Sequence, residues 1–349
     1  MKKPILGISM GDPCGIGPEI VVKALDNCEV YRICRPIVIG DAKIINQALE
    51  VTKLKQQINI ISDACQAVFK HGIIDLIDLK NVDIHEFEYG KVSVYGGNAA
   101  FEYVKKVIDL AMEKSIDGTV TGPINKEALN LAGHHFSGHT EIFAHFTKTS
   151  NYAMLLVYQN LRVIHVSTHV SLRRACDLVK KARVLSVIQL ASDTCAKLGI
   201  KRPRIAVAGL NPHAGENGLF GDEEIKEILP AINDAKALDI DVDGPLPPDT
   251  IFSKALGGMY DMVVAMYHDQ GHIPLKTAGF KWNNDLCKWD NIDGINITVG
   301  LPIIRTSVDH GTAFEEAGKG TASAISLLRA IEHGATLAAN RRKEKSSEL

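Results

Sequence analysis

The sequence predicts an α/β protein built on a largely parallel sheet. Short apolar runs alternate with longer stretches whose apolar residues recur at helical spacing, the pattern of strand–helix–strand units. Glycine and histidine cluster just beyond the ends of those runs, where such sheets carry their chemistry. A length of 349 residues also calls for one large or two moderate domains.

Taken in order, Ile5–Met10 reads as a buried strand and Pro18–Leu25 as the helix after it, with proline at its start. Pro36–Gly40 and Asp75–Leu79 are further strands, and Ala99–Met112 is helical by its apolar spacing. Gly118–Thr121 is a short strand that ends in a turn at Gly122-Pro123. Ala153–Val157 and Arg162–Ser167 read as neighbouring strands joined at Gln159-Asn160. Leu172–Leu198 holds one or two helices with a break near Arg183, and Arg204–Ala208, Met262–Met266 and Ile295–Val299 are strands. Thr321–Ala338 is a last helix, followed by a polar, Lys/Arg-rich tail to Leu349 that is expected to fray.

Composition narrows the class. Hydrophobic residues make up 46% and charged residues 23%, as in a globular protein with a sizeable core. A net charge of −2 and a pI near 6.7 create no long-range field for nucleic acid or anionic lipid. The cysteines (Cys14, Cys28, Cys34, Cys65, Cys176, Cys195 and Cys287) are odd in number and none has CxxC spacing. A disulfide framework is not expected, and a reducing cytoplasm is. The apolar run after Met1-Lys2-Lys3 stops at Asp12, too short for a leader, and no run approaches the roughly 20 apolar residues of a membrane span.

Five segments carry chemistry. Gly11-Asp12-Pro13-Cys14-Gly15-Ile16-Gly17-Pro18-Glu19 follows the first strand; its glycines permit a sharp turn, and the next helix offers free N–H groups. It matches neither GxGxxG nor GxxxxGK[ST], so Rossmann and P-loop readings are unsupported. His169, His213 and His268 each follow a predicted strand, so three imidazoles can converge on one cleft, a donor set suited to a divalent first-row metal. Gly133–Glu141 is glycine-bounded and leads into a helix that Thr140 can cap, with His139 and Thr140 placed for an anion at the helix dipole. Lys276, Asn296 and Arg305 offer cations and an amide for carboxylate or phosphate. Val308–Phe314 and Ala317–Ala322 surround His310 with small residues, which lets a flat ring approach the backbone.

Together these segments resemble the 4-hydroxythreonine-4-phosphate dehydrogenase family of vitamin B6 biosynthesis. The resemblance runs through Gly11–Ile20, Thr121–Lys126, Gly138–Glu141, Asn211–Asp222, Gly244–Phe252, His268–Lys276 and Asn296–Ser323, nearly the whole chain. It implies a two-domain α/β/α sandwich of the isocitrate and isopropylmalate dehydrogenase type, with a cleft between domains 1–122 plus 300–349 and 123–299. It implies a homodimer with shared active sites, and His169, His213 and His268 as ligands of one divalent metal (zinc, magnesium or cobalt) gathered from both subunits. His139, Thr140, Lys276, Asn296 and Arg305 are the implied substrate residues. The His310-Gly311-Thr312-Ala313 loop and Gly318-Lys319-Gly320 are similar to the loop that binds NAD or NADP in that fold. The implied reaction is NAD(P)-linked oxidation with decarboxylation of 4-phosphooxy-L-threonine. A close branch oxidises 4-phosphothreonate in sugar-acid catabolism, and a distant one acts on aromatic dihydrodiols. A phosphate acetyltransferase-like transferase and a non-catalytic metal-binding homodimer are the remaining alternatives. The base stays open among Asp249, Asp269 and a metal-held hydroxide. The chain departs from the family's shorter pattern at Phe280–Gly294, an enlarged polar connector with both tryptophans, Trp282 and Trp289; either tryptophan is a candidate for contact with the partner subunit.

Overall fold

The computed structural model describes residues 3–285 and 288–347, with backbone alone for 288–292 and 344–347. Cys287 lies outside the described residues, as does the Trp289 side chain. Two compact units are present: Met1–Thr149 with Leu301–Leu349, and Ser150–Gly300. Residues 123–149, grouped with the second domain in the sequence reading, belong to the first unit. The reason is local packing: the helices Lys126–Leu131 and His139–Phe146 lie against the long helix Val94–Met112.

In the first unit the strands run in the order Gln57–Ile61, Ile73–Asp78, Arg35–Gly40, Ile5–Ser9, Gly118–Thr121, Arg305–Val308. All these pairings are parallel. Ile5–Ser9 is central, with Ile8 opposite both Val38 and Val120, and these three side chains are fully buried. Runs buried on both faces read as continuous apolar strands, which is why this part of the sheet is visible in the sequence. Gln57–Ile61 carries exposed residues and escapes that signal. The parallel strands all discharge at one edge, where Gly11 takes φ +80° to turn the chain sharply.

The second unit mixes directions. Ile295–Val299 pairs antiparallel with Ala153–Tyr158, which pairs antiparallel with Leu161–His165 across the expected turn. Leu161–His165, Met262–Ala265, Ile205–Ala208 and Val242–Leu246 then follow in parallel. Leu156, Val163, Val263, Ala265, Leu275 and Phe252 lie in its core, between sheet and helices. The stretch Leu172–Leu198 is two helices, Leu172–Leu178 and Lys181–Lys197, so the break falls at Val179-Lys180, not Arg183. The connector Phe280–Gly294 forms a small antiparallel hairpin, Phe280–Asn283 with Lys288–Ile292, and Trp282 is exposed on it.

The final helix spans Ile325–Ser347, longer than expected at its C-terminal end. Arg342 explains part of the extension: its guanidinium donates to both carboxylate oxygens of Asp117 at 2.8 and 2.6 Å, a paired geometry that fixes the side chain.

Candidate active site

In the first unit a cationic pocket forms at the start of the helix His139–Phe146. Its N-cap is Gly138, with no side chain capping it, and the helix start turns its positive dipole end toward this site. The sequence reading had Thr140 as the cap. Thr140 instead lies inside the first turn and is buried, because the chain enters the helix two residues earlier than the cap rule suggests. His139 Nε2 is buried without a hydrogen-bond partner among the described residues. Burial first, then Arg305 and Lys126, push the His139 pKa well below the usual imidazole value, so the ring is neutral. Arg305, 2% exposed, donates from Nη2 to Thr121 Oγ1 at 3.1 Å and lies over the Phe143 ring at 5.7 Å. Burial lowers its pKa to about 9, against the opposing pull of Glu141. Lys126, which closes the Thr121–Lys126 block but is not singled out by the sequence, is a second cation acting on His139. It opens a helix capped by Asn125, whose Oδ1 accepts from Ala128 N–H at 2.8 Å.

The glycine-rich loops of the first unit are anchored by its first helix. Thr312 accepts from Ile16 N–H at 3.0 Å, and a Cβ on Gly15 would stand 2.8 Å from Thr312 Cβ. His310 Nδ1 donates to Gly311 O at 3.0 Å, and Ala313 holds a left-handed φ of +41°. Gly318 and Gly320 have φ +78° and +67°, a backbone that turns successive N–H groups inward as an anion nest. The anion is the protein's own: Gly318 N–H donates to buried Glu19 Oε1 at 2.6 Å. One helical turn on, Lys23 Nζ donates to Gly320 O and Ala322 O at 2.8 and 2.6 Å.

The second unit assembles histidines. His169 and His268 have ring centroids 5.9 Å apart. His268 Nδ1 lies 2.7 Å from Asp269 Oδ1, which places the proton on Nδ1 and leaves the Nε2 lone pair for a ligand. His272 stacks on His268 at 3.6 Å and donates from Nδ1 to His268 O at 2.9 Å; buried His165 follows at 4.8 Å from His272. Burial, with neighbouring histidines, lowers His165 to about 4 and His272 to about 2, so both rings are neutral supports. His213 is elsewhere. It faces Phe220 at 6.3 Å and lines a 350 Å³ cavity with Glu216, Asn217, Glu224 and Pro247. Among the described residues of one chain, no three His, Cys, Asp or Glu side chains form a metal-holding group. The expected convergence is thus present for two of the three imidazoles.

Asp249 and Asp269 line one 620 Å³ pocket, together with Phe252, Leu256, Tyr267 and Ile273. Asp269 is occupied with His268, whereas Asp249 stands in the first turn of the helix Pro248–Leu256. Lys276 is two helical turns beyond His268 on the helix His268–Gly279, with Nζ 5.3 Å from the Phe280 ring centroid. Asn296 sits on the strand Ile295–Val299, opposite Leu156.

Comparison with known proteins adds the following. The family model described as pyridoxal phosphate biosynthetic protein PdxA matches residues 32–334. A Clostridium botulinum (strain Hall) protein bearing the name D-threonate 4-phosphate dehydrogenase is 50% identical over 330 residues, which cover 95% of this chain and 96% of its own. The crystal structure of a 4-hydroxythreonine-4-phosphate dehydrogenase from Klebsiella pneumoniae aligns with a TM-score of 0.83 and 44% identity, over 96% of this chain and 99% of that one. Its counterpart from Burkholderia phymatum gives 0.81 and 46%, over 97% and 99%.

Proposed function

This chain belongs to the PdxA family of pyridoxal phosphate biosynthetic proteins, and on that premise we propose that it is an NAD(P)-linked dehydrogenase that oxidises and decarboxylates a phosphorylated hydroxy acid. The first substrate is 4-phosphooxy-L-threonine. The second is 4-phosphothreonate, favoured by the 50% identity to a relative named for D-threonate 4-phosphate. The identities to dehydrogenases leave little room for the acyltransferase alternative.

The observation that carries the reading is the pocket of His139, Arg305 and Lys126. A buried imidazole nitrogen without a partner among the described residues, beside Arg305, Lys126 and the Glu141 carboxylate, is costly unless a polar group fills the space, and a phosphate oxygen suits it. There Thr140 and the first-turn N–H groups orient phosphate, and Arg305 supplies a planar fork for it. Lys276 and Asn296 hold the carboxylate end. The His310–Ala313 loop would hold NAD or NADP, whose nicotinamide would supply the hydride acceptor for the secondary alcohol. Asp249 is the base that takes the hydroxyl proton at its carboxylate, because Asp269 is committed to orienting His268. The resulting keto acid carries its carboxylate β to a carbonyl, and CO2 leaves.

His169 and His268 fit the donor chemistry of a divalent metal, with a carboxylate orienting the His268 ring. His213 of the partner subunit completes the set in a homodimer. Zinc, magnesium or cobalt held there would supply Lewis acidity toward the alcohol. The exposed Leu219 and Phe220 beside the His213 turn suit a subunit contact. No helix of the described residues is long and apolar enough to cross a membrane, and the proposed setting is the cytoplasm.

Two assays test this. Thorough chelation should abolish NAD(P)H formation, and returning one divalent metal should restore it; turnover by metal-free protein would overturn the metal role. Incubation with each acid separates the substrates, since one yields a phosphorylated aminoketone and the other a phosphorylated dihydroxyketone.

A further inference from the structure

The segment from His213 to Gly218 is a left-handed turn. His213, Ala214, Gly215, Glu216, Asn217 and Gly218 have φ of 52°, 55°, 81°, 43°, 57° and 93°. Each non-glycine residue there is strained relative to a right-handed conformation. Such strain survives only where surrounding contacts over-determine it. One buried carboxylate, Glu224, 3% exposed, at the start of a π-helical turn Glu224–Ile228, holds the two residues that lead into the turn and packs against Gly215 within it. Its Oε1 accepts from Leu210 N–H and Asn211 N–H, both at 2.7 Å. Its Oε2 accepts from Asn211 Nδ2 at 2.9 Å, and the same amide donates to Glu223 Oε2 at 2.7 Å. The backbone is cut to fit that carboxylate. A Cβ on Gly215 would stand 2.7 Å from Glu224 Oε2, and one on Gly209 would stand 3.1 Å from Oε1 and 2.7 Å from Ala214 Cα. A π-helical turn is itself a feature that concentrates at functional sites.

We infer that Glu224 is a positioning residue: its carboxylate braces the left-handed turn from inside and thereby holds the His213 imidazole at the cavity it lines. A right-handed or relaxed loop would carry the ring away while leaving the parallel strands intact. The inference rests on the reading of His213 as a metal ligand and adds the device that aims it. The nearest alternative, that Glu224 only stabilises the unit, predicts a loss of thermal stability without any selective change in metal affinity.

The experiment measures Zn²⁺ affinity of the full-length protein by competition with a chromophoric chelator, alongside circular dichroism melting and sedimentation. His213→Ala sets the reference and should lose most of the Zn²⁺ affinity. Glu224→Ala should weaken Zn²⁺ binding by about 10–100-fold, the usual range for a residue supporting a ligand. Glu224→Gln keeps one oxygen for the two N–H groups and should recover most of that loss. Gly215→Ala, which pushes on the same carboxylate, should reproduce the Glu224→Ala defect and decides the matter if Glu224→Ala does not fold. Wild-type affinity in folded Glu224→Ala, with His213→Ala defective, overturns the inference and leaves the ligand role standing. Wild-type affinity in His213→Ala overturns the ligand role and the inference with it.

Discussion

At the level of single residues, Asp12 stands out because the fold holds it at a cost. It is 1% exposed; Oδ1 accepts from Cys14 N–H at 2.9 Å, and Oδ2 is buried with no hydrogen-bond partner among the described residues. Burial, the largest influence, raises its pKa to about 6, with backbone N–H groups pulling the other way. The folded state therefore holds this proton between about pH 4 and pH 6, where the unfolded chain has released it. The associated stability is fully present below about pH 4 and is lost as pH rises through about 6. A shift of about two units corresponds to about 3 kcal/mol. Asp12→Asn removes the titration, so its stability relative to wild type should improve by about 3 kcal/mol between pH 4 and pH 8. Chemical denaturation at both pH values checks this, and parallel curves for the two proteins would refute it. The first-loop motif was visible in the sequence, but the orphaned oxygen was not, since desolvation depends on which chains close over the loop.

Among elements, legibility followed burial. Strands buried on both faces, such as Ile5–Ser9 and Met262–Ala265, announce themselves as apolar runs. The helix Val94–Met112 begins well before its apolar spacing does, because Ser93 caps it and its first turn exposes Val94 and Tyr95. Sequence spacing placed His169 and His268 at strand ends and so found their neighbourhood. It could not show that His213 rides a left-handed turn, since Ala214 and Glu216 are residues that normally avoid positive φ. Nor could it show that the Gly318–Gly320 nest is already filled. Glu19 and Lys23, one turn apart on the helix Gly17–Leu25, seize the N–H and carbonyl sides of the same loop. On the proposed function, this stretch would anchor the dinucleotide loop rather than hold a phosphate itself, since the Gly318 N–H is already given to Glu19. Glu19→Ala leaves buried N–H groups unmatched, at about 1–3 kcal/mol for such a loss. It should raise the dissociation constant for NAD⁺ or NADP⁺ about tenfold or more while leaving Zn²⁺ affinity unchanged, as read by titration calorimetry. Unaltered dinucleotide binding would show that the loop keeps its shape without the clamp.

For the whole molecule, the proposed metal site raises the question of how His213, which lies apart from the paired His169 and His268 among the described residues of one chain, would join them. The proposed twofold homodimer would answer it, because an interface that placed His213 of one protomer beside His169 and His268 of the other would do so twice. That arrangement makes a quantitative prediction. Proteins carrying His213→Ala or His268→Ala are each inactive, since every site lacks one ligand. Unfolded together at equal concentration and reassembled, they form hybrid dimers in half of the population. Each hybrid has one site with both substitutions and one with none. Activity should therefore return to about a quarter of wild type, with the regained sites confined to the hybrid species. If all three histidines came from one chain, neither site of a hybrid would be intact and mixing would restore nothing. The assay thus distinguishes a shared site from two independent ones without relying on the identity of the metal, and it does so with the same variants that test each ligand singly.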